Sequence, residues 1–133
     1  MKGMWIATGA VAAAGIAIGF GLASASGQTS AIAPGVDGQT IGLVDAGANY
    51  PGMILRMRKV TFAPGASIPM HTHAERPEVT YVLSGTLTDT RKGAPAVQKT
   101  AGDTVTNGRE VEHMPENKSD KPVVLIVADF VKK

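Results

Sequence analysis

The sequence predicts an all-β domain, its strands antiparallel and either closed into a small barrel or stacked as a sandwich. Two observations carry this. From Thr40 onward no segment sustains the 3.6-residue apolar spacing of an amphipathic helix, while short runs of Val, Ile, Thr, Leu and Tyr alternate with Gly, Pro, Asn and Asp. The last run, Val123-Val124-Leu125-Ile126-Val127-Ala128, is apolar on both faces, which suits a strand with a neighbour on each side rather than an edge. At 133 residues the chain has the size of one ordinary domain. A strand domain that small buries its interior by closing or stacking its sheet, and closure also removes exposed edges.

The elements follow in order. Between Met1 and Val36 the one charged residue is Lys2, and Met4 to Ala23 is an almost unbroken apolar stretch of Ala, Gly and Ile. With Ala23-Ser24-Ala25 supplying small residues for signal peptidase, residues 1–25 read as a secretory signal peptide. Cleavage after Ala25 leaves 108 of the 133 residues. The alternative is an uncleaved anchor in the inner membrane, because a bilayer span takes about 20 residues. No twin Arg precedes the apolar stretch, which indicates the general secretory route and a periplasmic or extracellular destination. Residues 26–38, small, polar and containing Gly and Pro, read as a flexible linker. The domain proper is then 39–133.

Within it the expected strands are Thr40 to Val44, Met53 to Phe62, Ser67 to His73, Glu78 to Leu83, Gly85 to Arg91, Val97 to Ala101, Asp103 to Thr106, Val111 to Asn117 and Val123 to Val131. The pieces between them, such as Pro51-Gly52, Pro64-Gly65 and Asn107-Gly108, carry residues that supply turn dihedrals or end ladders.

Composition narrows the chemistry. Thirteen Lys and Arg against eleven Asp and Glu give a net charge of +2, and no basic run exceeds Lys132-Lys133, so no nucleic-acid partner is expected. The chain has no cysteine, which excludes disulfides, thiol nucleophiles and Cys-ligated metals. Histidine and carboxylate chemistry remains. His71 and His73 stand at i and i+2, so on a strand both imidazoles project from one face. A short turn through Ala74-Glu75-Arg76-Pro77 brings Glu78 back beside them, and the third histidine, His113, follows in another strand-like piece. Three neutral imidazoles and one carboxylate make a site for a divalent first-row metal, with positions left open for a water, a substrate oxygen or dioxygen if the metal is five- or six-coordinate.

At these residues the sequence resembles the cupin superfamily. Its first motif is Gly, five residues, His-x-His, three or four residues, Glu, six residues, Gly, and Gly65, His71, His73, Glu78 and Gly85 fill every position. Of the second motif, Gly102, His113 and Asn117 fit, while Gly108 stands for a Pro and Glu110 for a Gly, departures that affect the turn before His113 rather than the ligand. The sixteen residues from Thr86 to Ala101 between the motifs are typical of small bacterial single-domain members. The resemblance spans roughly Gly52 to Val131. It implies a single jelly-roll-like β-barrel, often a homodimer, with Mn, Fe, Ni, Zn or Cu held by His71, His73, Glu78 and His113.

Strand parity then assigns the lining. Thr80, Val82 and Val111 are expected inward and Tyr81 and Leu83 outward, with Tyr81 on the outer face or in a dimer interface. The pocket is thus expected to be largely apolar and suited to a small organic ligand. Met70 and Met114 are expected to pack in the core rather than ligate. Arg56 and Arg58 share one strand face; they clamp an anionic substrate if that face is inward and are plain surface arginines if it is not. Glu75 and Glu112 are expected at the rim. A chain exported unfolded acquires its metal outside the cytoplasm, where the affinity order favours Zn or Cu over Mn and Fe. Two functions fit. One is a small metalloenzyme, with the quercetinase-like dioxygenases as nearest analogues by motif and Glu78 as the proton acceptor. The other is a non-catalytic periplasmic protein that binds a metal or ligand.

Overall fold

The computed structural model describes residues 29–133; the signal or anchor segment expected over 1–25 and the first residues of the expected linker lie outside the described residues. Among the described residues ten strands follow one another without a helix: β1 (Thr29–Ala33), β2 (Val36–Asp45), β3 (Met53–Phe62), β4 (His71–Thr72), β5 (Glu78–Ser84), β6 (Thr86–Arg91), β7 (Val97–Thr100), β8 (Thr104–Asn107), β9 (Glu112–Glu116) and β10 (Val123–Lys132). They form a six-stranded sheet in the order β1-β2-β3-β10-β5-β8 and a four-stranded sheet in the order β4-β9-β6-β7. This is the all-β, jelly-roll-like barrel that the sequence predicts.

β10 is central, paired with β3 on one side and β5 on the other. Its inward residues Val123, Leu125 and Val127 are buried, and its outward residues Val124, Ile126 and Ala128 are half-covered by their neighbours on β3 and β5, so both faces of the run are used. Outward from β5, Val79, Tyr81 and Leu83 are exposed, as parity requires.

Two elements differ from expectation. The linker of 26–38 is strand from Thr29: β1 and β2 form a hairpin about Pro34-Gly35, with Gly35 at φ 73° and Ala33 opposite Val36. Pro followed by a Gly at positive φ is the signature of a type II turn, so the composition that suggests a tether here closes a hairpin. Val36, the first residue of β2, is fully buried. The strand expected over Ser67 to His73 is a ladder at His71 and Thr72 alone, with one further bridge from Ser67 to Glu116. Pro69 has no N–H to donate to a ladder.

The chain crosses from one sheet to the other between β5 and β6 at Gly85, whose φ is 84° and where a Cβ would stand 2.7 Å from the Pro122 carbonyl oxygen. Only glycine meets both demands. Asn117 clips the bottom of the barrel: its buried amide donates to the carbonyls of Phe62, Ala63 and Lys121 at 2.7–3.1 Å and accepts from Ser119.

The core is graded along the barrel. Val36, Val60, Phe62, Val82, Leu87, Val105, Val123, Leu125 and Val127 pack together at one end. Antiparallel register then lines up the inward residues at the other end as a polar row across four strands, with Arg56 beside Asp129, Asp129 beside Glu78 and Glu78 beside Asn107.

Candidate metal centre

The three histidines come from the four-stranded sheet. His71 on β4 is the register partner of His113 on β9, and His73 follows β4 by one residue, anchored by its N–H to the Val111 carbonyl at 3.3 Å. His73 and His113 are buried and His71 is half-exposed. Their side chains converge. His73 Nε2 lies 3.1 Å from His71 Nε2 and 2.9 Å from His113 Nε2.

The opposite ring nitrogens fix the tautomers. Nδ1 of His71 faces the Pro69 carbonyl at 2.9 Å, Nδ1 of His73 the Arg76 carbonyl at 3.1 Å, and Nδ1 of His113 the buried Asp89 carboxylate at 2.6 Å. Carbonyl and carboxylate oxygens only accept, so each Nδ1 carries the proton and donates it. In the neutral rings each Nε2 is then a lone pair, and the three lone pairs point at one another. That arrangement is repulsive unless a cation sits among them. The spacing suits one, because adjacent nitrogens on an octahedral metal with bonds of about 2.1 Å stand about 3 Å apart. Burial pushes the His71 and His73 imidazoles below their ordinary pKa, which keeps both neutral at pH 7, the form that binds metal. The three imidazoles together can hold a metal ion.

Glu78 lies at the margin of this cluster. Its Oε1 accepts from the Asn107 amide at 3.0 Å, and its Oε2 stands 3.7 Å from His73 Nδ1 and 3.8 Å from Arg58 Nη2. The structure therefore brings the three histidines together and leaves the carboxylate beside them, held by Asn107.

Arg56 and Arg58 face inward, where Asp129 meets them. Asp129, 1% exposed, accepts from Arg56 Nε and Nη2 at 3.0 and 2.8 Å, from Arg58 Nη2 at 2.9 Å and from Arg76 Nη1 at 3.2 Å. Burial raises the Asp129 pKa, but the arginines outweigh it and hold the carboxyl below the usual range. Burial also pushes the Arg58 guanidinium down from its ordinary value.

A cavity of about 50 Å³ opens on the centre, bounded by His71, His113, Glu78, Thr80, Arg58 and Arg76 on its polar side and by Phe62, Ile68, Leu87, Val105 and Leu125 among its apolar residues. The expected apolar lining is thus present, with one cationic wall. Val111 does not line it: the residue precedes β9, in a turn closed by its N–H to the Gly108 carbonyl at 3.1 Å, so strand parity does not apply. Met70 is exposed rather than in the core, and Met114 is half-buried on β9. Glu75 and Glu112 are rim residues, paired with Lys132 and Lys92.

Four residues of the site, Asp89, Arg76, Asn107 and Asp129, carry no site role in the sequence, where Arg76 and Asn107 read only as turn residues. Only Asp129 left a signal, as the charge that interrupts the apolar inward positions of β10.

A profile of the cupin domain matches residues 58–129, more than half of the chain. The chain belongs to the cupin family. Germin-like protein subfamily 2 member 1 of Arabidopsis thaliana is 31% identical over 107 residues, covering 71% of this chain; the alignment takes in 48% of the plant protein, so this cupin spans about half the length of that curated relative. Among solved structures, an RmlC-like cupin from Shewanella frigidimarina superposes with a TM-score of 0.63 at 23% identity, covering 83% of this chain and 87% of that one. A protein of Thermotoga maritima described as a predicted oxalate decarboxylase superposes with a TM-score of 0.60 at 19% identity, covering 80% and 92%. These structural likenesses establish the shared barrel.

Proposed function

We propose that this cupin is a small metalloenzyme of dioxygenase-like type, exported by its first 25 residues, that binds one divalent transition metal through His71, His73 and His113 and acts on a small organic substrate. The observation that carries it is the convergence of three imidazole Nε2 atoms beside a cavity that His71 and His113 line. Glu78, the one carboxylate in the cavity lining, is the proposed fourth donor and proton acceptor. When bound, the metal supplies a Lewis acid for a substrate oxygen or a site for dioxygen.

The chain's own residues do the remaining work. Asp89 holds His113 in the ligating tautomer, as outer carboxylates do for metal-bound imidazoles. Asn107 occupies Oε1 of Glu78, while Oε2 lies beyond hydrogen-bond distance of both Arg58 and His73 and is free to take up a proton. The apolar side of the cavity limits water around the reacting groups. Size favours a small substrate group: at roughly 10–15 Å³ per water the cavity holds a few water-sized groups.

The test is elemental analysis of protein from its native compartment, followed by oxygen-uptake assays on small enols and phenols after loading with Zn, Cu, Fe, Mn or Ni. Zn or Cu is the expected native ion, and stoichiometric Mn or Fe would overturn that assignment. No uptake with any metal would favour the non-catalytic binding protein. Replacing Asp89 by Ala is expected to weaken metal binding about 10–100-fold, the range for lost outer-shell partners, in a competition titration with a chromophoric chelator. An unchanged affinity would remove Asp89 from this role.

A further inference from the structure

The wall opposite the histidines carries more positive than negative charge. Arg56, Arg58 and Arg76 are gathered around a single carboxylate, Asp129, and three of their nitrogens share its one oxygen Oδ2. The next carboxylate, Glu78, reaches Arg58 Nη2 only at 3.8 Å. Three cations thus face two anions. Among the described residues Arg58 has one side-chain hydrogen bond, through Nη2, and its buried Nε has no protein partner. A buried charged donor left unpaired is costly, so the Arg58 guanidinium is under-bonded and favours an added acceptor on the nitrogens that face the cavity.

Arg56 is bound on both sides to Asp129 and does not line the cavity, whereas Arg58 and Arg76 do. Both belong to the same cavity as His71, His113 and Glu78. The space fits a group of roughly three to five heavy atoms, at about one water-sized volume each, and guanidinium donors match the planar geometry of a carboxylate. The apolar remainder of the lining suits a short hydrocarbon stem. We propose that Arg58 and Arg76 form the binding site for the carboxylate of a small organic acid, which the cavity presents to the histidine centre. The placement beside a metal rests on the proposed function; the carboxylate site itself is built from arginines and needs no metal.

Acetate and its neutral isostere acetamide are therefore titrated into chelator-treated full-length protein labelled with ¹⁵N, reading the Arg58 Nε–H resonance. Acetate is expected to shift it saturably and to bind at least tenfold more tightly than acetamide. Arg76→Gln, at a partly exposed position, is expected to weaken acetate at least tenfold while metal uptake stays stoichiometric; Arg76→Lys should recover part of the loss. Equal responses to acetate and acetamide, an unmoved Arg58 signal, or unaltered acetate affinity in Arg76→Gln would overturn the proposal, and inorganic phosphate binding more tightly than acetate would overturn the carboxylate assignment. Failure of metal uptake with acetate binding intact would sink the metal reading and leave this one standing.

Discussion

His73→Ala protein, loaded with Zn or Cu and dialysed, is expected to retain no stoichiometric metal, where the native chain keeps about one ion. His73 is the middle member of the cluster: its Nε2 is the atom within 3.1 Å of His71 and 2.9 Å of His113. Its removal takes away a third of the nitrogen donors and leaves the other two without the imidazole between them. Loss of an outer-shell partner costs up to about 100-fold in metal affinity, and loss of a ligand should exceed that. A buried ring also packs, so some stability goes with it, on the order of 2–3 kcal/mol for the cavity. Two melting curves separate the effects. The metal-free native and variant proteins should differ by the packing loss alone, and only the native protein should gain further stability on adding metal, because an ion that binds the folded state raises its melting temperature by mass action. Stoichiometric metal in the variant would remove the three histidines from the centre.

The histidines were legible because a metal site constrains donor type and spacing together, and strand parity at His71 and His73 survives even though the ladder there is two residues long. Gly85 was legible only as a motif position, and the structure supplies the reason for it, a steric demand that no other residue satisfies. The groups that support the ligands were not. Asp89 faces His113 from a different strand, twenty-four residues away in sequence, and Asn107 meets Glu78 across the β5–β8 ladder. Such contacts depend on which strands become neighbours and in what register, and local sequence holds no record of either. The β1–β2 hairpin was hidden for the opposite reason. Pro34-Gly35 has one composition and two uses, tether or turn, and long-range packing of Val36 selects the turn.

Asp129→Asn should be the most destabilising single change at the polar end of the barrel, by about 3–5 kcal/mol, the cost of breaking a buried ion pair from one side. The carboxylate is essentially inaccessible and serves three guanidiniums that are themselves partly withdrawn from water. An amide of the same shape keeps one acceptor oxygen but leaves Arg56, Arg58 and Arg76 repelling one another around a neutral group. Urea unfolding at pH 7 measures the loss. The pH dependence supplies a second check. The arginines hold the folded-state pKa of Asp129 below its ordinary value of 3.8, so its contribution is fully present above the unfolded pKa and is lost as pH falls through the lower folded one. The gap between native and variant should therefore be constant at neutral pH and close only in strong acid. A gap that persisted unchanged at the lowest pH where the native protein stays folded would show that shape, not charge, is what Asp129 contributes. Acetate gives the two readings of the arginine wall a common test: if Arg58 and Arg76 receive carboxylates, added acetate should return part of the stability that Asp129→Asn removes, through binding to the folded state, and acetamide should return none.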